Sequence, residues 1–315
     1  MTARLWQLTE SRQPSASTLS DLPGEQGPPI PVPDQTPLYH ALGQPRYARQ
    51  QQIRAIEDRT GRRLICYVAG PNTSISSFDI PPFVDLLDDV HDGEHLDLML
   101  HTPGGDVDQA ERIVLLCRKK VGSGSFHVVV PDGAKSAGTL IAIAADEIVM
   151  GYPSELGPID PIVFITTPGG EQMARPAQSF LDGLEEIVQQ TGGGALSPAY
   201  FPLLDKLDPA LIDFCRKALQ RSEQFAERFL GQYMLKADPE KAKVVAKELN
   251  DVKKHLSHGA VIDAQRAQAM GLRVTYLEPD NDLWQAYWRL YCEMRLALTG
   301  PERRLFESRR ASLLV

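Results

Sequence analysis

The sequence has no run of about 18 apolar residues, the length that a helix needs to cross a membrane. Its first residues also lack the apolar segment of a secretory signal peptide. Basic residues are in deficit: 33 Lys and Arg stand against 41 Asp and Glu, and the formal net charge is -8. A nucleic-acid-binding surface needs a surplus of positive charge. We therefore expect a cytoplasmic protein with no membrane span and no nucleic-acid partner.

Cysteine is also scarce, and the four cysteines form no CxxC pair. Cys66 and Cys117 lie in apolar runs, which predicts buried free thiols in a reducing compartment. A dinucleotide-binding fingerprint is missing, because Gly122-Ser123-Gly124 precedes a strand and does not open a helix. His255 and His258 supply only two of the ligands that a zinc ion requires, and no third is evident. We expect no cofactor and no metal.

Apolar strands alternate with helical segments in the first half of the chain, which is typical of a largely parallel α/β sheet. The segment over 106–120 repeats its apolar residues with the period of one helical face. The strands are predicted over 63–69, 96–101, 126–130, 147–150 and 273–277, and the helices over 48–60, 81–90, 106–120, 136–145 and 262–271.

The domain organisation follows from changes in composition. Residues 1–46 are rich in Pro, Gly, Ser and Gln and predict a flexible N-terminal arm. Residues 47–277 are expected to form the main folded domain, with a helical insertion over about 176–256. Residues 278–315 are expected to form a C-terminal helical tail that docks on the core or on a partner subunit. Its aromatic stripe consists of Trp284, Tyr287, Trp288 and Tyr291.

A glycine pair follows the second strand, at Gly104 and Gly105. Paired glycines allow a sharp turn and leave backbone N–H groups uncovered, where they can stabilise a developing negative charge. An ordinary strand-to-helix turn is the alternative interpretation.

A serine, Ser136, follows the third strand and heads an apolar helix. Its hydroxyl lies in the positive field of the helix N-terminus, and Ala137 and Gly138 leave room for a substrate. The alternative is a serine that only caps the helix. Both the glycine pair and Ser136 stand at carboxyl ends of predicted parallel strands, where sites in open α/β sheets lie. Together they predict an active site.

Three segments, 98–105, 135–142 and 154–161, resemble the serine dehydrogenase proteinase family in sequence and order. That family is related to the Clp protease proteolytic subunit and to signal peptide peptidase A. The resemblance implies a ClpP/crotonase-like α/β spiral of ββα units and a serine peptidase. It also implies a homo-oligomer that acts on peptides or unfolded protein segments.

The resemblance further implies a Ser, Asp, His triad in that chain order. Ser136 matches the nucleophile, Asp160 is the natural acid and His258 the natural base. The oxyanion hole would be formed by Gly104, Gly105 and Ala137.

Two other histidines stay open as the base. His255 also follows Asp160, but it ends a charged helix and is expected to point to solvent. His101 lies beside the glycine pair. A Ser–Lys dyad would need Lys206, a later lysine or a lysine from another subunit. No lysine occurs between Ser136 and Lys206, and the side chain of Lys135 is expected to point away from its neighbour.

The same fold could serve other functions. Acyl-CoA hydratases and isomerases of the crotonase type also direct paired backbone amides at a carbonyl, and they need no serine nucleophile. A non-catalytic oligomeric scaffold is the third alternative, which the long helical insertion and tail favour.

Overall fold

The fold was obtained as a computed structural model, which describes residues 36–166, 169–190, 208–301 and 303–315. Contacts divide the chain into two units, residues 1–44 and 45–315. In the first unit, the described residues after Thr36 are helical. Most of the predicted flexible arm over 1–46 lies outside the described residues, and its last part is helix.

The helices of the described residues follow the predicted pattern closely in the first half of the chain. Asp106 and Ser136 each stand one residue before a helix, at the N-terminal cap positions of α3 and α4. The helices are α1 Pro37–Thr60, α2 Ile80–Leu86, α3 Val107–Val121, α4 Ala137–Ile143, α5 Ala177–Gln190, α6 Pro209–Gln232, α7 Pro239–Leu249, α8 Val252–His255, α9 Ala264–Met270 and α10 Asp282–Ala297.

The strands form a seven-stranded main sheet and two smaller pairings. The order in the main sheet is β11-β10-β1-β2-β3-β5-β9. The strands are β1 Arg63–Ala69, β2 Leu96–His101, β3 Phe126–Val130, β4 Gly133–Ala134, β5 Glu147–Met150, β6 Glu155–Leu156, β7 Ile162–Thr166, β8 Gln172–Pro176, β9 Val274–Tyr276, β10 Arg304–Ser308 and β11 Ser312–Leu314.

The centre of the main sheet is parallel, as the alternation of strands and helices predicts. Strands β1, β2, β3, β5 and β9 pair in parallel, and β10 joins β1 in the antiparallel sense. Side chains of β1 to β3 are almost all buried, because helices cover both faces of a parallel sheet. The predicted α/β fold is confirmed.

A second, short ladder of strand pairings crosses the carboxyl edge of the main sheet. Thr102, just after β2, bridges Ala134 in β4, and β4 pairs in parallel with β6. Leu156 in β6 then bridges Ile262 in the antiparallel sense. This ladder brings four distant segments of the chain side by side, and each of them lies within four residues of a predicted site residue.

The C-terminal region differs from the prediction of a helical tail. Helix α10 docks on the core as expected, with Trp284, Tyr287 and Tyr291 buried. After it, however, β10 and β11 extend the main sheet beyond β1. A buried ion pair between Arg49 and Glu307, with N–O distances of 2.7 and 3.1 Å, fastens β10 to α1. The hairpin of β7 and β8 was also not predicted.

Candidate active site

Ser136 heads helix α4 in an unusual backbone conformation. Its φ is 51° and its ψ is -116°, in a region that residues with a Cβ rarely adopt. The hydroxyl makes no capping hydrogen bond to the helix, so the capping interpretation is wrong. Strained residues of this kind concentrate at functional sites, where the surrounding structure holds them in place. The side chain is half-buried and faces the glycine turn.

The glycine turn and the turn at Ser136 touch each other. A Cβ on Gly104 would lie 2.7 Å from the Ser136 Cβ and 3.3 Å from the Ala137 nitrogen. The φ angles of Gly104 and Gly105 are 111° and 146°, which favour glycine. Only glycine at position 104 permits this approach.

The amides around this contact differ in what they bind. The Gly104 N–H donates to Thr102 Oγ1 at 3.2 Å and is already engaged. The N–H groups of Gly105 and Ala137 make no hydrogen bond within the described residues. Two free backbone donors therefore adjoin this contact in the sequence, one directly after Gly104 and one directly after Ser136.

Asp160 and His258 form a hydrogen-bonded pair. His258 Nδ1 lies 3.0 Å from Asp160 Oδ1, and the Asp160 carboxylate is buried. His258 stands in a tight turn that the Ala260 N–H closes by donating to the Ser257 carbonyl at 3.1 Å. The other oxygen of Asp160 has no partner among the described residues. With Nδ1–H donating to the carboxylate, His258 presents Nε2 as a proton acceptor.

Thr139 is a residue that sequence reasoning missed. It is buried in α4, and its Oγ1 lies 2.8 Å from the Ala134 carbonyl and 2.9 Å from the Gly157 carbonyl. The Gly157 N–H donates back to Oγ1 at 3.0 Å. These hydrogen bonds connect α4, which begins directly after Ser136, to the segment around Gly157 that leads to Asp160. The signal in the sequence was a single hydroxyl in an otherwise apolar helix.

His255 does not point to solvent, contrary to expectation. It is buried, with Nε2 2.8 Å from the Glu248 carbonyl and Nδ1 3.0 Å from the Arg266 guanidinium. Both ring nitrogens are engaged, so His255 has no free nitrogen with which to act as a base.

His101 is held by the loop over 131–135 that leads to Ser136, here called the nucleophile loop. Its Nδ1 accepts a hydrogen bond from the Gly133 N–H at 3.2 Å, and Tyr291 Oη lies 3.4 Å away. Burial lowers the pKa of His101 to about 4, although the nearby Asp132 carboxylate opposes the shift. A neutral, weakly basic imidazole whose Nδ1 already accepts a hydrogen bond is poorly suited to deprotonate a serine.

Tyr291 joins this histidine to the C-terminal helix. Its hydroxyl donates to Asp132 Oδ2 at 2.5 Å. Burial is also the main reason that the pKa of Tyr291 lies above its ordinary value. The aromatic stripe of α10 therefore reaches the nucleophile loop, a contact that the sequence did not indicate.

No group of three His, Cys, Asp or Glu side chains close enough to bind a metal ion occurs among the described residues. Nor is any helix in that part of the chain long and apolar enough to cross a membrane. All four cysteines are free, and Cys66, Cys117 and Cys215 are buried. Burial raises the pKa of Cys117 to about 12, which keeps its thiol protonated and unreactive.

Comparison with known proteins supplies a family. Residues 39–287 match the family described as ClpP-like SDH-type serine proteinases. Two uncharacterized proteins of Methanocaldococcus jannaschii are 28% and 32% identical to the chain, over 64% and 59% of its length. The matched regions span 63% and 55% of those relatives.

Two solved structures are also similar, both of mutants of the 1510-N membrane-bound stomatin-specific protease. A serine-to-alanine mutant gives a TM-score of 0.34 at 16% identity and covers 69% of this chain and 99% of its own. A lysine-to-alanine mutant in complex with a substrate peptide gives a TM-score of 0.33 at 17% identity. The match covers 72% of this chain and 98% of that structure's chain. At such TM-scores the likeness does not bear on what this chain acts on.

Proposed function

Since the chain belongs to the family of ClpP-like SDH-type serine proteinases, we propose that it is a serine peptidase with Ser136 as its nucleophile. His258 is the general base in this proposal, and Asp160 orients it. The observation that carries the assignment is the 3.0 Å bond between His258 Nδ1 and Asp160 Oδ1, residues that stand 98 positions apart. A buried carboxylate that bonds to the Nδ1 of a partly exposed imidazole matches the acid and base of a serine hydrolase triad.

The proposed reaction begins when Ser136 Oγ attacks the carbonyl carbon of a peptide bond. The hydroxyl proton passes to His258 Nε2, and the Asp160 carboxylate stabilises the imidazolium that forms. As the tetrahedral intermediate collapses, the C–N bond breaks and His258 returns the proton to the leaving amine. Water, deprotonated by His258, then hydrolyses the acyl-enzyme and regenerates the Ser136 hydroxyl.

The oxyanion of that intermediate would be bound by the N–H groups of Gly105 and Ala137. Their freedom from other hydrogen bonds within the described residues supports this role, as does the close contact between Gly104 and Ser136. Gly104 contributes by its lack of a side chain, because its own N–H is engaged by Thr102.

Within the described residues, Ser136 Oγ and His258 are not hydrogen-bonded to each other. Catalytic hydrogen bonds are often long in a substrate-free enzyme and tighten in the Michaelis complex. We propose that a bound peptide draws the two side chains together. Peptides and unfolded segments are the proposed substrates, and a cytoplasmic homo-oligomer is the proposed form of the enzyme.

The decisive experiment compares Ser136→Ala with Ser123→Ala, a substitution of an exposed serine that precedes β3, whereas Ser136 follows that strand. Hydrolysis of a peptide library and covalent labelling by a fluorophosphonate probe should both disappear in Ser136→Ala and persist in Ser123→Ala. Full peptidase activity in Ser136→Ala would overturn the proposal. A wild-type protein that neither labels nor hydrolyses peptides would instead favour an acyl-CoA enzyme or a scaffold.

A further inference from the structure

The Lys135 ammonium group lies between the segments that carry the three proposed triad residues. We infer that Lys135 is a positioning residue, which holds the Asp160–His258 pair in register with Ser136. The inference rests on the proposed function, and it assigns a role to a lysine that adjoins the nucleophile without acting as its base.

Three acceptors surround Lys135 Nζ. Glu155 Oε2 lies at 2.9 Å, the Leu156 carbonyl at 3.2 Å and the Ala260 carbonyl at 3.3 Å. An ammonium group has three N–H donors, so all of them are used. A lysine engaged in this way is held in one position by its three contacts.

The acceptors belong to the two segments that meet at the catalytic pair. Glu155 and Leu156 form β6, from which the chain runs directly to Asp160. Ala260 closes the tight turn that presents His258. Lys135 itself precedes Ser136. The Lys135 side chain therefore bonds to the segment that leads to Asp160 and to the turn that contains His258.

Gly157 makes room for this side chain. A Cβ on Gly157 would lie 2.8 Å from Lys135 Cδ, so the lysine stem runs closely across the backbone there. The Lys135 side chain is only 18% exposed. Its contacts are therefore part of a packed site, unlike those of a mobile surface lysine.

Removing the ammonium group should free the His258 turn. In Lys135→Met, which keeps an unbranched apolar stem, the turn loses its bond at Ala260 and Glu155 is left half-buried without its cation. Because a displacement of about 1 Å in a catalytic group can cost about 100-fold in rate, we expect kcat to fall by that order. KM should change by less than about threefold, because the substrate-binding backbone is untouched.

Hydrogen exchange gives a readout that does not depend on turnover. In Lys135→Met, amides over 257–262 should exchange faster, by about tenfold or more, while those of β1 stay protected. Lys135→Cys treated with 2-bromoethylamine rebuilds an ammonium group at nearly the same length, and it should restore both kcat and protection. Lys119→Met, a change of an exposed lysine on α3, is the matched control and should behave as wild type.

The outcomes separate this inference from the proposed function. If wild-type protein hydrolyses peptides through Ser136 but Lys135→Met keeps its kcat and its exchange over 257–262, the positioning role is wrong and the peptidase stands. If aminoethylation restores neither property, the ammonium group is not what holds the turn. Faster exchange over 257–262 with rescue supports the positioning role whether or not peptides are the substrate.

Discussion

A Cβ placed on Gly104 would lie 2.7 Å from the Cβ of Ser136. Two turns that are separated in the sequence by one helix and two strands, α3, β3 and β4, are therefore in close van der Waals contact. The N–H groups of Gly105 and Ala137, which directly follow the two contacting residues, make no hydrogen bond within the described residues. This arrangement leads to the first of four predictions.

Gly104→Ala should abolish fluorophosphonate labelling of Ser136. The added methyl group would meet the Ser136 Cβ, the Lys135 carbonyl oxygen and the Ala137 nitrogen, of which two are backbone atoms that cannot rotate away. We expect the labelling rate to fall at least about 100-fold, because the donors of the proposed oxyanion hole would be displaced.

Gly61→Ala is the matched control for this prediction. Gly61 also has a positive φ, of 65°, but nothing lies within 4 Å of an added Cβ. It should lose only about 1 kcal/mol of stability from backbone strain and label normally. Normal labelling of Gly104→Ala would argue against the oxyanion hole.

Asp160→Asn should reduce kcat on the order of 1,000-fold or more without unfolding the protein. The amide keeps the size of the buried side chain but favours the wrong tautomer of His258 and cannot stabilise its imidazolium. Steady-state peptide hydrolysis would measure the loss. Asp238→Asn, the same change at the N-terminal cap of α7, serves as control because asparagine caps a helix equally well. A kcat within tenfold of wild type would remove Asp160 from the triad.

His101 should make the protein less stable as the pH falls below about 6.5. Its pKa is about 4 in the folded chain, below its ordinary value of 6.5, so the unfolded chain takes up a proton that the folded chain does not. The associated stability is present above pH 6.5 and is lost as the pH falls towards 4. Linkage gives a loss of about 2 kcal/mol between pH 7.5 and pH 5.

Urea unfolding at these two pH values tests this, with His101→Asn as the comparison. The variant keeps a side-chain acceptor for the Gly133 N–H but has no titrating group. The difference in unfolding free energy between pH 7.5 and pH 5 should be smaller in the variant by about 2 kcal/mol. An equal difference in both proteins would mean that His101 titrates normally when folded.

Arg118→Lys should destabilise the protein by about 2–3 kcal/mol even though charge is conserved. The Arg118 guanidinium lies 3.5 Å from the centre of the Tyr233 ring and donates to the Ala144 carbonyl and to Asp146. Lysine cannot stack and donate to both at once. Denaturant unfolding would measure the loss, and Lys119→Arg, on the exposed neighbour, should leave stability unchanged.

Much of this fold could be predicted because the information is local. Strands β1, β2, β3 and β5 have the bounds that their apolar runs indicate. The position of Ser136 at the start of α4 follows from the apolar run that begins directly after it. The prediction of secondary structure was wrong at the C-terminus, where the apolar pattern does not distinguish a strand from a helix. Strands β10 and β11 were expected as helix, because what makes them strands is pairing with β1, far away in the sequence.

The histidines show the same division within the site. The chain order that the resemblance implies left His255 or His258 as the base, and His101 stayed open because it lies beside the glycine pair. The sequence does not show which groups each imidazole contacts. The structure engages both nitrogens of His255, holds His101 against Gly133, and pairs His258 with Asp160. The contacts of His101 and His258 join residues far apart in the sequence, whereas His255 bonds to Glu248 at the end of the preceding helix and to Arg266 in the following one.

The sequence by itself therefore determined the alternation of strands and helices, the glycine turn and the serine that heads an apolar helix. These depend on neighbouring residues and on the period of the apolar pattern. Only the tertiary structure decided that Gly104 packs against Ser136, that His258 bonds to Asp160 and that Lys135 spans both segments of that pair. Those contacts depend on the ladder through β4 and β6, and a short strand pairing of this kind leaves no periodic signal in the chain.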